Sequence, residues 1–213
     1  MPFLVSETIS THQTEILAFR SEIPQSGTTF VTWEKAQELT KQKKRVLIFD
    51  ELLGLKNTPI RNKKEQYIPQ VFSGKLPLTC LIDTKNNIDF ISGVATTNLN
   101  ALDIYAQNQI KNQLENLIHN YDFVCLDSPV QRKGPFIPPT QTYWICAPDQ
   151  QQILKTLTQA KQTDHLVLNK ISENTDLTWL FSFIKQNCLQ IQISKQIHLQ
   201  KNCKILNETH EKT

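Results

Sequence analysis

Apolar residues along the chain gather in short continuous runs, separated by longer stretches in which they recur at helical spacing. Glu15 to Ser21 (EILAFRS), Arg45 to Asp50 (RVLIFD), Ile88 to Gly93 (IDFISG), Tyr121 to Asp127 (YDFVCLD), Thr142 to Pro148 (TYWICAP) and His165 to Ile171 (HLVLNKI) are runs of strand length. A last strand is predicted over Cys188 to Ile193. Their unbroken apolar character suits parallel strands covered on both faces. Between them, Phe30, Val31, Trp33, Ala36 and Leu39 predict a helix running through Gln42, and a short one is expected around Gln66 to Phe72. Leu102, Ile104, Tyr105, Ile110, Leu114, Leu117 and Ile118 predict a long amphipathic helix between Leu99 and Asn120. Ile153, Leu154, Leu157 and Ala160 place another over Gln150 to Lys161, and Asp176 is positioned to cap one over Asp176 to Gln186. Leu76 to Ile82 fits either helix or strand, and Gly134, Pro135, Pro138 and Pro139 mark a loop over residues 130–141. Strand and helix mostly alternate. The fold class is therefore α/β, a Rossmann-like three-layer sandwich with a mostly parallel sheet and helices on both faces. The expected division is an N-terminal arm over 1–14, one domain over 15–200 and a polar tail over 201–213.

Composition narrows this reading little. The chain has 213 residues, 39% hydrophobic and 20% charged, as an ordinary globular domain has. A net charge of +3 is too small an excess to argue for nucleic acid, which needs clustered cations. The runs Lys41 to Arg45 and Arg61 to Lys64 read as solvated surface. Five cysteines form no metal-ligand spacing, and Cys125 and Cys146 lie inside apolar runs as small core residues of a reducing compartment. No apolar stretch reaches the roughly 18 residues that cross a bilayer, and the start of the chain lacks a signal pattern, so a cytoplasmic setting is expected. The five histidines are scattered, without triad or zinc spacing.

The order of motifs carries more. Val46-Leu47-Ile48-Phe49-Asp50 followed by Leu53-Gly54-Leu55-Lys56-Asn57 resembles the second strand and loop of the MinD/ParA family of P-loop ATPases, most like its MinD and FlhG branches. Tyr121 to Pro129 is similar to the family's Walker B strand. Tyr143 to Asp149, Thr158 to Lys161 and Leu166 to Lys170 follow where the family has its next strand, its helix and its base-recognising Asn. The resemblance spans about residues 15–195 and implies a P-loop NTPase fold.

On this register Ser21 to Phe30 takes the place of the family's deviant Walker A, S-G-K-G-G-V-G-K-T-T. Ser21, Gly27 and Thr29 match; the signature lysine is Ile23 and the P-loop lysine is Thr28. Pro24 removes one backbone N–H from the cradle, and Glu22 sets a negative charge beside a polyanion. At roughly 1.5 to 3 kcal/mol per charge-assisted bond, losing two lysines weakens phosphate binding by about two to four powers of ten. Leu52 stands where the family has the second Asp of Asp-x-Asp, and Gln131 where it has a phosphate-sensing Gly. The resemblance thus implies a pseudo-ATPase with no catalytic residues and no resident metal. Its vestigial nucleotide positions are Gly27, Thr28, Thr29, Asp50, Asp127 and Asn169, with Thr29 and Asp127 at the old magnesium position.

Each position has a plainer reading. Thr29, Asp127 and Asn169 are also residues that bond local backbone or loop amides. Glu51 could stand in for the missing carboxylate, but side chains alternate along a strand. Trp33, Tyr143, Trp144, Trp179, Phe181 and Phe183 suit the core, although Trp179 to Ile184 puts apolar groups on more than one face of a short helix. The resemblance implies work through protein partners, flagellar or cell-division proteins among them, without nucleic acid or a membrane helix, and any dimer would not be ATP-driven. No cofactor is expected. Two alternatives stay open: an ATPase that holds ATP and magnesium through a rebuilt loop, and a module that binds another small anion at the first helix N-terminus.

Overall fold

The computed structural model describes residues 13–22, 26–51, 67–91, 104–128, 137–161, 164–171, 176, 178–186 and 192–198. Within them β1 (Glu15–Arg20) leads to α1 (Thr28–Lys41) and β2 (Val46–Asp50), then α2 (Ile68–Phe72), a 3-10 turn (Leu78–Leu81), β3 (Asp83–Lys85) and β4 (Ile88–Ile91). The chain continues with α3 (Ile104–Ile118), β5 (Phe123–Ser128), β6 (Gln141–Cys146), α4 (Gln150–Gln159), β7 (His165–Ile171), α5 (Thr178–Gln186) and β8 (Gln192–His198). The strands form one sheet in the order β3-β4-β2-β5-β1-β6-β7-β8. Every pairing is parallel except β3 with β4.

This topology determines where the helices go. The step from β1 to β2 runs one way across the sheet, and those from β4 to β5, β6 to β7 and β7 to β8 run the other. Right-handed crossovers then place the connecting helices on opposite faces. Val31, Ala36 and Leu39 of α1 accordingly pack with Leu17, Phe19, Val46, Ile48 and Cys125 on one face. On the other, Val71 of α2 and Ile110, Leu114 and Leu117 of α3 pack with Ala18, Leu47, Phe49, Val124 and Leu126. That second face continues under α4 and α5, where Ile153 and Leu180 meet Trp144, Cys146, Leu166 and Leu168. Neighbouring residues of one strand, such as Leu17 and Ala18, belong to opposite cores, so both faces of the central strands are apolar, and their sequences run without polar breaks.

Burial pushes the Cys125 and Cys146 thiols up to about 12, which keeps them as inert core groups. Asp149 caps α4 by accepting a bond from Gln152 N–H at 2.9 Å. Asp176, expected as a cap, accepts from Thr178 N–H at 2.8 Å. Tyr143 is stacked between Phe19 and His165, with ring centroids 5.1 and 4.9 Å apart.

The last strand is described over Gln192–His198 and extends past the expected end at Ile193, while residues 188–191 of the expected Cys188 to Ile193 lie outside the described residues; it is an edge strand, where a polar-rich sequence is tolerated because only one side pairs. Within Leu76 to Ile82, open between helix and strand, Leu78–Leu81 is a 3-10 turn, and the antiparallel β3 is an addition to the expected strands. Asn86 (φ 53) and Asn87 (φ 61) form the two-residue turn that joins β3 to β4, the left-handed pair that such hairpins require. Residues 1–12 of the expected 1–14 arm, the loop residues Leu53 to Asn57 and the tail over 201–213 lie outside the described residues.

Candidate functional site

The C-terminal ends of β1, β2, β5 and β7 lie at one end of the sheet, beside the point where the crossovers change direction. Open α/β sheets place their ligand sites there.

The centre of this end is Gly27, the residue that opens α1, with φ 91 and ψ 24 in the left-handed region. A side chain there would be strained by the backbone, and it would also collide, since a Cβ would lie 2.0 Å from Asn169 Nδ2. Asn169 occupies this space because its Nδ2 donates to the Ser26 carbonyl at 2.7 Å. Its Oδ1 accepts from the Lys170 N–H at 2.9 Å, and Lys170 is itself left-handed at φ 61. The end of β7 is thus bent so that its buried amide faces the loop. Asn169 spends both ends on backbone.

Thr28 opens the first turn of α1 on the other side of Gly27. Its hydroxyl lies 3.0 Å from Ser26 Oγ, and its carbonyl accepts from Thr32 Oγ1 at 3.0 Å. Where a lysine would reach outward, a short hydroxyl turns back on the loop. Glu22, before the loop, is 3.9 Å from Lys155 of α4. Ile23, Pro24, Leu52 and Gln131 lie outside the described residues.

Two strand ends supply carboxylates. Asp50 and Asp127 are register partners in β2 and β5, and both are buried. Thr29 donates a side-chain hydrogen bond to Asp127. Burial pushes the Asp127 carboxyl up to about 6; the Thr29 bond opposes this and the charge of Glu51 adds to it. One residue further on, Glu51 and Ser128 meet. Ser128 Oγ donates to Glu51 Oε2 at 2.5 Å, and the Glu51 N–H donates to the Asp127 carbonyl at 3.0 Å. Alternation along the two strands therefore pairs Asp50 with Asp127 and Glu51 with Ser128.

All six residues singled out in the sequence come to this end of the sheet. Thr29 joins Asp127, Asp50 flanks it, and Asn169 closes on the loop between Ser26 and Gly27. Ser26 and Ser128 carry no sequence signal of their own. Their roles follow from register and from the positive φ at Gly27, although a hydroxyl directly before a helix-opening glycine is a pattern that sequence could have offered.

Among the described residues no group of three or more His, Cys, Asp or Glu is arranged to hold a metal; Thr29 and Asp127, a hydroxyl and a carboxylate of the kind that binds magnesium alongside phosphate and water, lie together at this end. Two cavities, of about 250 and 420 Å³, open at the opposite end of the strands, beside Arg45 and beside Glu15. Among the described residues no helix is long and apolar enough to cross a membrane.

No protein-family model and no curated protein sequence matches the chain. Solved structures do. A plasmid partition protein of Borrelia burgdorferi bound to AMPPNP superposes with a TM-score of 0.67 at 15% identity, covering 89% of this chain and 88% of that one. MinD of Pyrococcus horikoshii with Mg-ADP gives 0.63 at 16% identity, over 87% and 82%. MinD of Aquifex aeolicus in its MinC complex gives 0.60 at 19% identity, over 88% and 82%. The chain has the fold of the MinD/ParA P-loop ATPases.

Proposed function

We propose that the chain is a MinD/ParA-type pseudo-ATPase that acts by binding other proteins. One observation carries this reading: the residue at the P-loop lysine position, Thr28, closes on Ser26 over 3.0 Å instead of reaching toward a phosphate. The Asn that would read a base supports the same conclusion, because its amide anchors the loop from inside. The surrounding carboxylates, Asp50, Glu51 and Asp127, are buried, and they repel a polyanion that brings no metal. An ATP-bound state held by lysines is thereby replaced by a loop that holds itself.

The MinD of Aquifex aeolicus forms a complex with MinC. By analogy this chain would serve as a regulator or assembly factor in flagellar number or placement, in the cytoplasm of a bacterium; this rests on the fold and on the motif order. The second reading is a nucleotide-binding ATPase with an atypical loop, in cell-division site placement. The Thr29 to Asp127 bond favours it, since it preserves the hydroxyl and carboxylate that flank magnesium in the family.

Titration with a fluorescent ATP analogue and magnesium, followed by phosphate-release measurement, separates the two. The pseudo-ATPase shows neither micromolar binding nor turnover. Turnover abolished by Asp127→Ala would establish the second reading. Sedimentation with and without ATP is expected to give the same oligomeric state.

A further inference from the structure

At the end of the sheet opposite Gly27, three pieces of chain come together: the close of α1, the start of β2 and the tip of the β3–β4 hairpin. Leu47 pairs with Asp89, so the parallel register sets Arg45 beside Asn87. Lys41, Lys43, Lys44, Arg45 and Lys85 are all exposed here. Arg45 lies 4.0 Å from the Asp122 carboxylate. Among the described residues no carboxylate pairs with any of the four lysines. The carboxylates nearby have donors of their own: Asp89 accepts from Thr84 Oγ1 at 2.6 Å and from the Tyr121 hydroxyl at 2.9 Å, and Asp122 accepts from the Arg45 N–H at 2.6 Å.

Two features set this end apart from a solvated face. The first is Lys43. Its N–H bonds the Thr40 carbonyl while that of Lys44 bonds Leu39, a helix-ending motif whose left-handed residue is usually glycine. Lys43 holds that place at φ 62, so a cation is kept where the backbone disfavours any side chain. The second is a cavity of about 250 Å³ beside the cations, lined by Arg45, Asn87, Asp89, Asn120 and Tyr121 among others. It offers amide groups and a carboxylate, with Arg45 in its wall.

We propose that this basic end docks an acidic segment of a partner protein, whose carboxylates meet Lys41, Lys43, Lys44, Arg45 and Lys85 while one polar side chain enters the cavity. Asp89 selects the class of partner. It repels a ligand that is anionic throughout, such as a nucleic-acid backbone, and accepts from one that brings a donor among its negative charges. A planar membrane surface has nothing to insert into the cavity. The inference holds whether or not the chain binds nucleotide.

The test uses the full chain and a fluorescein-labelled peptide of Asp and Glu with one central glutamine, followed by anisotropy. Binding is expected, weakening as salt rises. The double variant Lys43→Glu, Lys44→Glu should lose about tenfold or more in affinity, and the distant exposed variant Lys161→Glu should lose none. Lys43→Gly relaxes the helix end, so it should raise the melting temperature while weakening peptide binding, a split that a structural role alone does not produce. The proposal is overturned if the peptide does not bind, if the Lys43 variants bind it as the parent does, or if Lys161→Glu weakens it equally. Tighter capture of duplex DNA or phosphatidylserine vesicles by the same lysines also overturns it. ATP binding, measured on the same protein, leaves these outcomes unchanged.

Discussion

Asn169 and Ser26 are joined by a 2.7 Å hydrogen bond from a buried side-chain amide to a backbone carbonyl, and this bond fixes the loop that opens α1. Asn169→Ala leaves that carbonyl buried without its donor, and the expected cost is about 1 to 3 kcal/mol. Urea denaturation measures it. Asn169→Asp should cost more, because a carboxylate would face the same carbonyl oxygen.

Gly27 is bound to the same contact. Gly27→Ala meets both a disfavoured backbone at φ 91 and the Asn169 amide 2.0 Å away. The backbone part alone is worth about 1 to 2 kcal/mol. Combining Gly27→Ala with Asn169→Ala removes the collision but not the backbone strain, so the double variant should be less destabilised than the sum of the two. Strict additivity in the melts would contradict the geometry.

The Asp127 carboxyl gives stability a pH dependence of known sign. It rises from 3.8 to about 6 in the folded chain, so between those values the folded state holds a proton that the unfolded state has released. Stability is therefore lost as pH rises from about 4 to about 6, by a few kcal/mol at most for this one group. Asp127→Asn should raise the urea midpoint at neutral pH and flatten the profile across that window. An unchanged slope between pH 4 and pH 6 would refute the assignment.

Ser128 and Glu51 make a second test of the strand ends. Ser128→Ala withdraws the 2.5 Å donor from a buried carboxylate, and the expected loss is about 1.5 to 3 kcal/mol. Glu51→Gln removes the charge that raises Asp127. The pH transition of Asp127 should then move downward, followed by carboxyl NMR or by the pH profile of the melt.

Much of the architecture can be read from apolar runs, because strands buried on both faces leave long unbroken signals at Val46 to Asp50 and Phe123 to Ser128. The antiparallel β3 leaves none: its three residues run straight into the Lys85-Asn86-Asn87 turn signal, and their pairing depends on β4. The run of the last strand beyond Ile193 leaves little signal for a related reason, since a polar-rich sequence gives an edge strand no hydrophobic signature. At this end of the sheet, the motif order points to Gly27, Thr29, Asp127 and Asn169, which the fold brings together. That order gives no sign of the closures of Thr28 on Ser26 and of Ser128 on Glu51, because each is set by the meeting of segments that no local pattern links.

The Asn169 to Ser26 bond spans 143 residues of sequence, and β1 takes its two neighbours from β5 and β6. β1 therefore occupies the middle of a sheet in which both of its neighbours are made well after it. Pairings at such separation pay their loop-closure entropy before any contact rewards them, which slows folding. A nascent chain halted before β5 would carry an apolar β1 with neither neighbour in place and a Ser26 carbonyl without its Asn169 donor, both open to solvent or to a chaperone. The residues that open α1 are thus made long before Asn169, the residue that holds them in shape.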